Sequence, residues 1–361
     1  MRRLGISVYP EHATLEENKK YISTAAKYGF DRIFTCLLSV NGDKETIVAE
    51  FKETIDHAKN LGFEVIVDVA PCVFKDLNIS YDDLSFFREM GVDGLRLDEG
   101  FTGAEEAMMT YNKENLMIEL NVSQPNRYLE NILSYCADVH NILGCHNFYP
   151  KKRSGLSREL FLETSKNYKK HGIRVAAFVN SNEDNTFGPW PVSEGLCTLE
   201  EHRYVKDVTV QARDLWNTDL VDDVIIANCF ASEAELKALG DLRRGLLVLD
   251  VELETTLSDT ESKILYDEMH FYRGDASEYT VRSTMPRVKY AKEEIAPKNT
   301  RAIKRGDVII ENSNYARYKG ELHIALRDYE NEGNSNVIGR VREDNLVFID
   351  QIKSWQKFKL K

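Results

Sequence analysis

The chain has 361 residues, 42% of them apolar, and a net charge of -12, which suits a globular, soluble protein of two domains or of one large domain with an appendage. Residues 1–244 carry 28 Lys and Arg against 39 Asp and Glu, whereas residues 245–361 carry 19 against 20. The first part is therefore acidic and lacks the basic stripe that a nucleic-acid backbone requires, so nucleic acid is excluded as a partner.

The opening "MRRLGISVYPEH" has two arginines but runs into a charged helical pattern, and no later segment reaches membrane-spanning length. This predicts a cytoplasmic protein with no membrane partner. Six cysteines, at 36, 72, 136, 145, 197 and 229, have no CxxC spacing and several sit in apolar runs; reduced core thiols are expected.

Eight short β-branched or apolar runs then follow in order: "LGISVYP" (4–10), "RIFTCLL" (32–38), "EVIVDVAP" (64–71), "GLRLDEG" (94–100), "MIELNVS" (117–123), "ILGCHNFYP" (142–150), "RVAAFV" (174–179) and "DVIIANCF" (223–230). Amphipathic stretches such as "TLEENKKYISTAAKYG" lie between them, with apolar residues recurring at three and four and glycines as C-caps. Eight alternations predict a (β/α)8 barrel over residues 1–243.

Active sites of that fold gather at the C-terminal strand ends. Those ends supply Tyr9, Glu11, His12, Thr35, Ser39, Asp68, Asp98, Glu99, Glu119, Asn121, His146, Asn147, Tyr149, Asn180 and Asn228. A lone strand-end Asp is more often a helix cap than a catalyst; four carboxylates from four strands, Glu11, Asp68, Asp98 and Glu119, argue more strongly by converging. No inward lysine stands near a strand end, which disfavours imine chemistry. No GxGxxG or GxxxxGK[ST] is present, and neither HExxH nor a first-strand HxH, so no cofactor or metal is expected. A metal-dependent sugar-phosphate isomerase or lyase using Asp68, Glu119 and His146 stays open as an alternative, as does a non-enzymatic sugar-phosphate binding protein.

Glycosidic cleavage needs one carboxylic acid and a second carboxylate. Asp98 and Glu119, from neighbouring strands, are the expected principal pair, with Asp68 and Glu11 in reserve; which is acid stays open. Tyr9, Phe148, Tyr149, Phe178 and Trp190 would stack on sugar faces while Asn121, Asn147, Asn180 and His146 hydrogen-bond hydroxyls. The long segment 180–203 with its Gly188-Pro189-Trp190 turn is expected to wall the cleft.

From residue 244 the pattern becomes strand after strand ("LLVLDVEL", "MHFYRGD", "YTVRST", "RGDVIIEN", "GELHIALRDY", "NVIGRV", "NLVFIDQI"), which predicts an all-β domain over 244–361, a small closed barrel. Arg282, Ser283, Arg317 and Lys319 there mix cations and small donors suited to phosphate or carboxylate. Lys151, Lys152 and Arg153 offer the same service beside the sixth strand.

The segments "LGISVYPEH", "EVIVDVAPCVF", "LRLDEGF", "IELNVS", "GCHNFYP", "GLCTLEEHR", "DDVIIANCFASEAEL", "RGDASEYTVRST" and "YKGEL" together resemble a bacterial family associated with 6-phospho-N-acetylmuramidase activity. The resemblance implies a TIM barrel followed by a cyclophilin-like β domain. It also implies hydrolysis of the β-1,4 bond in N-acetylmuramic acid 6-phosphate–N-acetylglucosamine during cell-wall recycling. The implied partner is that small phosphorylated amino-sugar disaccharide; a homodimer is left open.

Overall fold

The computed structural model describes residues 2–37 and 44–361, so Ser39 lies outside the described residues. The chain divides into two compact units, the first ending at Leu242 and the second running Arg243–Lys361.

In the first unit eight strands close a parallel ring in chain order. They are β1 (Arg3–Ser7), β2 (Arg32–Cys36), β3 (Glu64–Val69), β4 (Gly94–Leu97), β5 (Met117–Asn121), β6 (Ile142–Cys145), β7 (Arg174–Val179) and β8 (Asp223–Ile226). The ring shuts where Leu4 registers with Val224 and Ile6 with Ile226. Strands buried on both faces read as continuous apolar runs, and these do: Val65, Ile66, Val67 and Val69 of β3 are all buried. Helices between the strands start where side chains satisfy free backbone N–H groups. Thr14 and Glu17 form a reciprocal capping box ahead of the helix Leu15–Lys27. The ladders end earlier than the apolar runs, because residues such as 98–100 leave the sheet and turn over the mouth.

The second unit contains β9 (Leu247–Leu249), β10 (Val251–Leu253), β11 (His270–Phe271), β12 (Thr280–Ser283), β13 (Asp307–Glu311), β14 (Leu322–Ala325), β15 (Ser335–Val341) and β16 (Lys357–Leu360). Its ladders form a five-stranded antiparallel sheet, ordered β10-β15-β13-β14-β12, and a three-stranded sheet, ordered β11-β16-β9. The expected single closed ring is thus two sheets. "LLVLDVEL" splits between them, and "NLVFIDQI" holds a helical turn, Leu346–Ile349, where a strand was expected; a short apolar run does not by itself separate the two.

Cys36, Cys145, Cys197 and Cys229 are buried free thiols, while Cys72 and Cys136 are free and exposed. Among the described residues no helix is long and apolar enough to cross a membrane.

Candidate active site

The C-terminal strand ends of the barrel enclose a cavity of about 260 Å³ lined by Phe34, Cys36, Asp68, Arg96, Asp98 and Asn147, with Phe148, Tyr149, Pro150, Phe178, Pro189 and Trp190. Phe34, Phe148 and Phe178 pack edge to face, Phe34 and Phe148 each with a centroid 5.1 Å from that of Phe178, giving the cavity a rigid apolar floor.

Asp68 closes β3 and Arg96 lies inside β4, in register with it. Arg96 Nη1 pairs with Asp68 and stands 3.1 Å from Asp98 Oδ1, while its Nη2 donates to Asn147 Oδ1. One guanidinium therefore holds both carboxylates and an amide. Two hydrogen bonds to one nitrogen keep the two carboxylate oxygens within about 6 Å of each other.

The two acids differ in exposure: the Asp68 side chain is 7% exposed and that of Asp98 35%. Burial pushes the Asp68 carboxyl up to about 7, against the pull of Arg96 and with the help of nearby Asp98. Near neutrality Asp68 thus has a proton to give.

The loop after β4 is pinned from several sides. Asn121 Nδ2 donates to the Asp98 carbonyl at 3.1 Å. Glu106 accepts from the Phe101 and Gly103 backbone N–H groups and from the Tyr128 hydroxyl. Trp190 is 56% exposed, and its loop is tied down where Asn180 Oδ1 accepts from Leu196 N at 2.7 Å and Phe187 bridges to Cys229.

Several expected site residues stand elsewhere. Glu119 is fully buried and paired with Arg32, which also pairs with Asp223. Arg32 and Asp223 begin their strands, whereas Glu119 is the middle residue of β5, in register with Arg96; its carboxylate is engaged by Arg32 in the barrel interior, is absent from the cavity lining and reaches Asp68 as a nearby charge. Burial opposes the Arg32 charge, yet Glu119 and Asp223 hold its pKa well above the ordinary value. Tyr9 is also fully buried, its hydroxyl donating to the Ala227 carbonyl at 2.7 Å, so it presents no face to a sugar. Glu11 lies in the turn Pro10–His12, 4.0 Å from His12, outside the cavity lining.

His146 is fully buried between Ser123 Oγ at 3.3 Å and Ser165 Oγ at 2.8 Å, and burial, with the field of Arg96, lowers its pKa to about 3. It is a neutral structural residue. With Glu119 and His146 so engaged, the metal set Asp68–Glu119–His146 does not converge, and among the described residues no group of three or more His, Cys, Asp or Glu could hold a metal ion.

In the second unit Arg282 is held by Glu321 at 2.8 Å, and Ser283 is buried with Oγ 2.9 Å from His270 Nδ1. Arg282 is partly exposed and lines a cleft of the second unit; Arg317 is exposed and Lys319 half-buried.

Arg96 is the site residue that sequence reading missed. Its signal was present, since a charge inside an apolar run requires a buried partner and "RLD" puts Arg96 and Asp98 on one strand face.

Two carboxyl groups of unequal exposure, held side by side between aromatic walls at the mouth of a parallel barrel, answer the needs of glycosidic bond cleavage and define the class as a (β/α)8 glycosidase. Sequence comparison makes this particular. The chain belongs to the 6-phospho-N-acetylmuramidase family, whose N-terminal domain matches residues 4–241 and whose C-terminal domain matches residues 247–361. It is 49% identical to an uncharacterized B. cereus protein, with a TM-score of 0.93 over 100% of this chain and 99% of that one. A conserved Enterococcus faecalis protein of unknown function is 27% identical, with a TM-score of 0.72 over 99% and 96%. No curated protein matches the chain.

Proposed function

We propose that this glycosidase hydrolyses the β-1,4 bond of N-acetylmuramic acid 6-phosphate–N-acetylglucosamine in the cytoplasm, as a step of peptidoglycan recycling. The observation that carries the reading is the sharing of Arg96 by Asp68 and Asp98 inside an aromatic cavity.

Asp68, with its carboxyl raised to about 7, protonates the glycosidic oxygen as the bond to the anomeric carbon breaks. Asp98 attacks that carbon and forms a glycosyl ester. Asp68, now a carboxylate, takes a proton from water as the water attacks the same carbon and releases Asp98. Retaining glycosidases hold their carboxyl groups about 5–5.5 Å apart and inverting ones about 6.5–9.5 Å; the shared guanidinium supports the closer class, hence retention. Arg96 keeps the pair in place throughout.

Exposed Lys151, Lys152 and Arg153 follow directly on Pro150 of the cavity lining. Their cations suit the 6-phosphate in an otherwise acidic unit.

Incubation of the purified protein with the phosphorylated disaccharide tests this. Release of N-acetylglucosamine is expected, with Asp98→Asn lowering turnover on the order of 10³-fold. No release, or unchanged turnover in both Asp68→Asn and Asp98→Asn, overturns it.

A further inference from the structure

The second unit has its own cleft of about 490 Å³, formed around β12, β13 and β14, within the size range of small-molecule sites. Two tyrosine pairs line it. Tyr279 and Tyr329 meet edge to face at 6.0 Å, and Tyr315 and Tyr318 lie 4.7 Å apart. Tyr279 and Tyr315 are exposed, so flat aromatic surface faces the opening.

Buried Glu311 and Glu321 and the partly exposed cations around them are matched with one another. Arg282 Nε and Arg287 Nη1 each donate to Glu321 at 2.8 Å. His323 spans the two glutamates, Nε2 3.2 Å from Glu321 Oε1 and Nδ1 3.3 Å from Glu311 Oε1. Ser335 Oγ donates to Glu311 Oε2 at 2.9 Å. The rim adds the exposed carboxylates Glu330 and Glu332.

This lining discriminates among ligand classes. A phosphate or carboxylate would have to draw Arg282 away from Glu321 and would face the rim glutamates, and removing one partner of such a buried pair is costly. An ammonium group would meet guanidinium groups already drawn to the Tyr318 ring, Arg282 at 5.8 Å and Arg287 at 5.1 Å from its centroid. A neutral ring with many hydroxyls has no such conflict: it stacks on tyrosine faces and gives and takes hydrogen bonds with the mixed donors and acceptors around it. From this juxtaposition of paired tyrosines with internally matched Arg282, His323, Glu311 and Glu321, we infer that the second unit binds a neutral sugar at a site of its own.

This inference does not rest on the barrel chemistry. The test uses the full chain carrying Asp98→Asn, with ¹³C-labelled tyrosine rings and the Trp190 indole followed by NMR. Glucose, N-acetylglucosamine and chitobiose are titrated separately, with inorganic phosphate and tetramethylammonium as the charged probes. Tyr279 and Tyr329 ring signals should shift with at least one sugar and with neither ion. Tyr279→Ala should weaken that binding by about tenfold, and Tyr279→Phe should retain most of it, which separates lost stacking from lost folding. The inference is overturned if the tyrosine rings ignore all three sugars, if they respond instead to phosphate or tetramethylammonium, or if Tyr279→Ala binds sugar as the parent does. A response confined to Trp190 overturns it too, while leaving the barrel assignment standing.

Discussion

The Tyr128 hydroxyl occupies the space that a side chain on residue 100 would need: a β-carbon built on Gly100 lies 2.1 Å from it. Glycine at that position lets the chain turn immediately after Asp98 and Glu99 while the phenol reaches Glu106. Gly100→Ala must displace Tyr128 or the loop that carries Asp98. Overpacking of this kind costs about 2 kcal/mol; if the loop gives way, kcat should fall by more than the lost stability explains, and if Tyr128 gives way, stability alone should fall. Denaturation and turnover, measured on the same preparation, check this.

Asp68 predicts a pH profile. In its proposed role of general acid it must hold its proton, so kcat/KM should fall as pH rises through about 7, and Asp68→Asn should abolish that limb together with most of the activity. The stability linkage has a defined sign. The folded pKa of about 7 lies above the ordinary 3.8, so the protonated group favours the folded state at low pH. That contribution is lost as pH rises from about 4 to about 7. Asp68→Asn should therefore flatten the decline of unfolding free energy over that interval.

Glu119→Gln tests the buried ion pair apart from the cavity. Weakening one partner of the buried Arg32 should destabilise the first unit by about 3 kcal/mol. Turnover per folded molecule should remain near that of the parent, read by scaling kcat to the folded fraction. A loss of kcat beyond that fraction would return Glu119 to the chemistry.

Trp190, half in solvent on its tethered loop, contributes stacking area and no reacting group. Trp190→Ala should raise KM by about tenfold and leave kcat and the melting temperature nearly unchanged.

How far the sequence could be read follows from the range of the interactions involved. The barrel strands are local signals, and all eight runs mark a real strand. Asp68 and Asp98 were legible because each is a carboxylate near the C-terminal end of such a run. The pairing of Glu119 with Arg32 was not legible, because period-two alternation says which residues face the interior but not how deep they sit. The depth of Glu119 is set by ring register and by Arg32, 87 residues away. His146 looked available for the same reason, its satisfaction depending on Ser123 and Ser165 at 23 and 19 residues' distance. In the second unit, "KFKL" forms β16 only because β9 and β11 lie on either side of it, and four residues with two lysines carry little pattern alone.

The ion pairs at the foot of the barrel extend beyond Glu119. Arg174 joins Glu64 to Asp223, and Arg3 joins Glu64 to Asp31. Such a seal makes the barrel a cul-de-sac, so traffic in and out shares one doorway. Under the proposed two-step route a departing N-acetylglucosamine must vacate that doorway before water can arrive. Added N-acetylglucosamine should then compete with water for the glycosyl ester and reverse the first step.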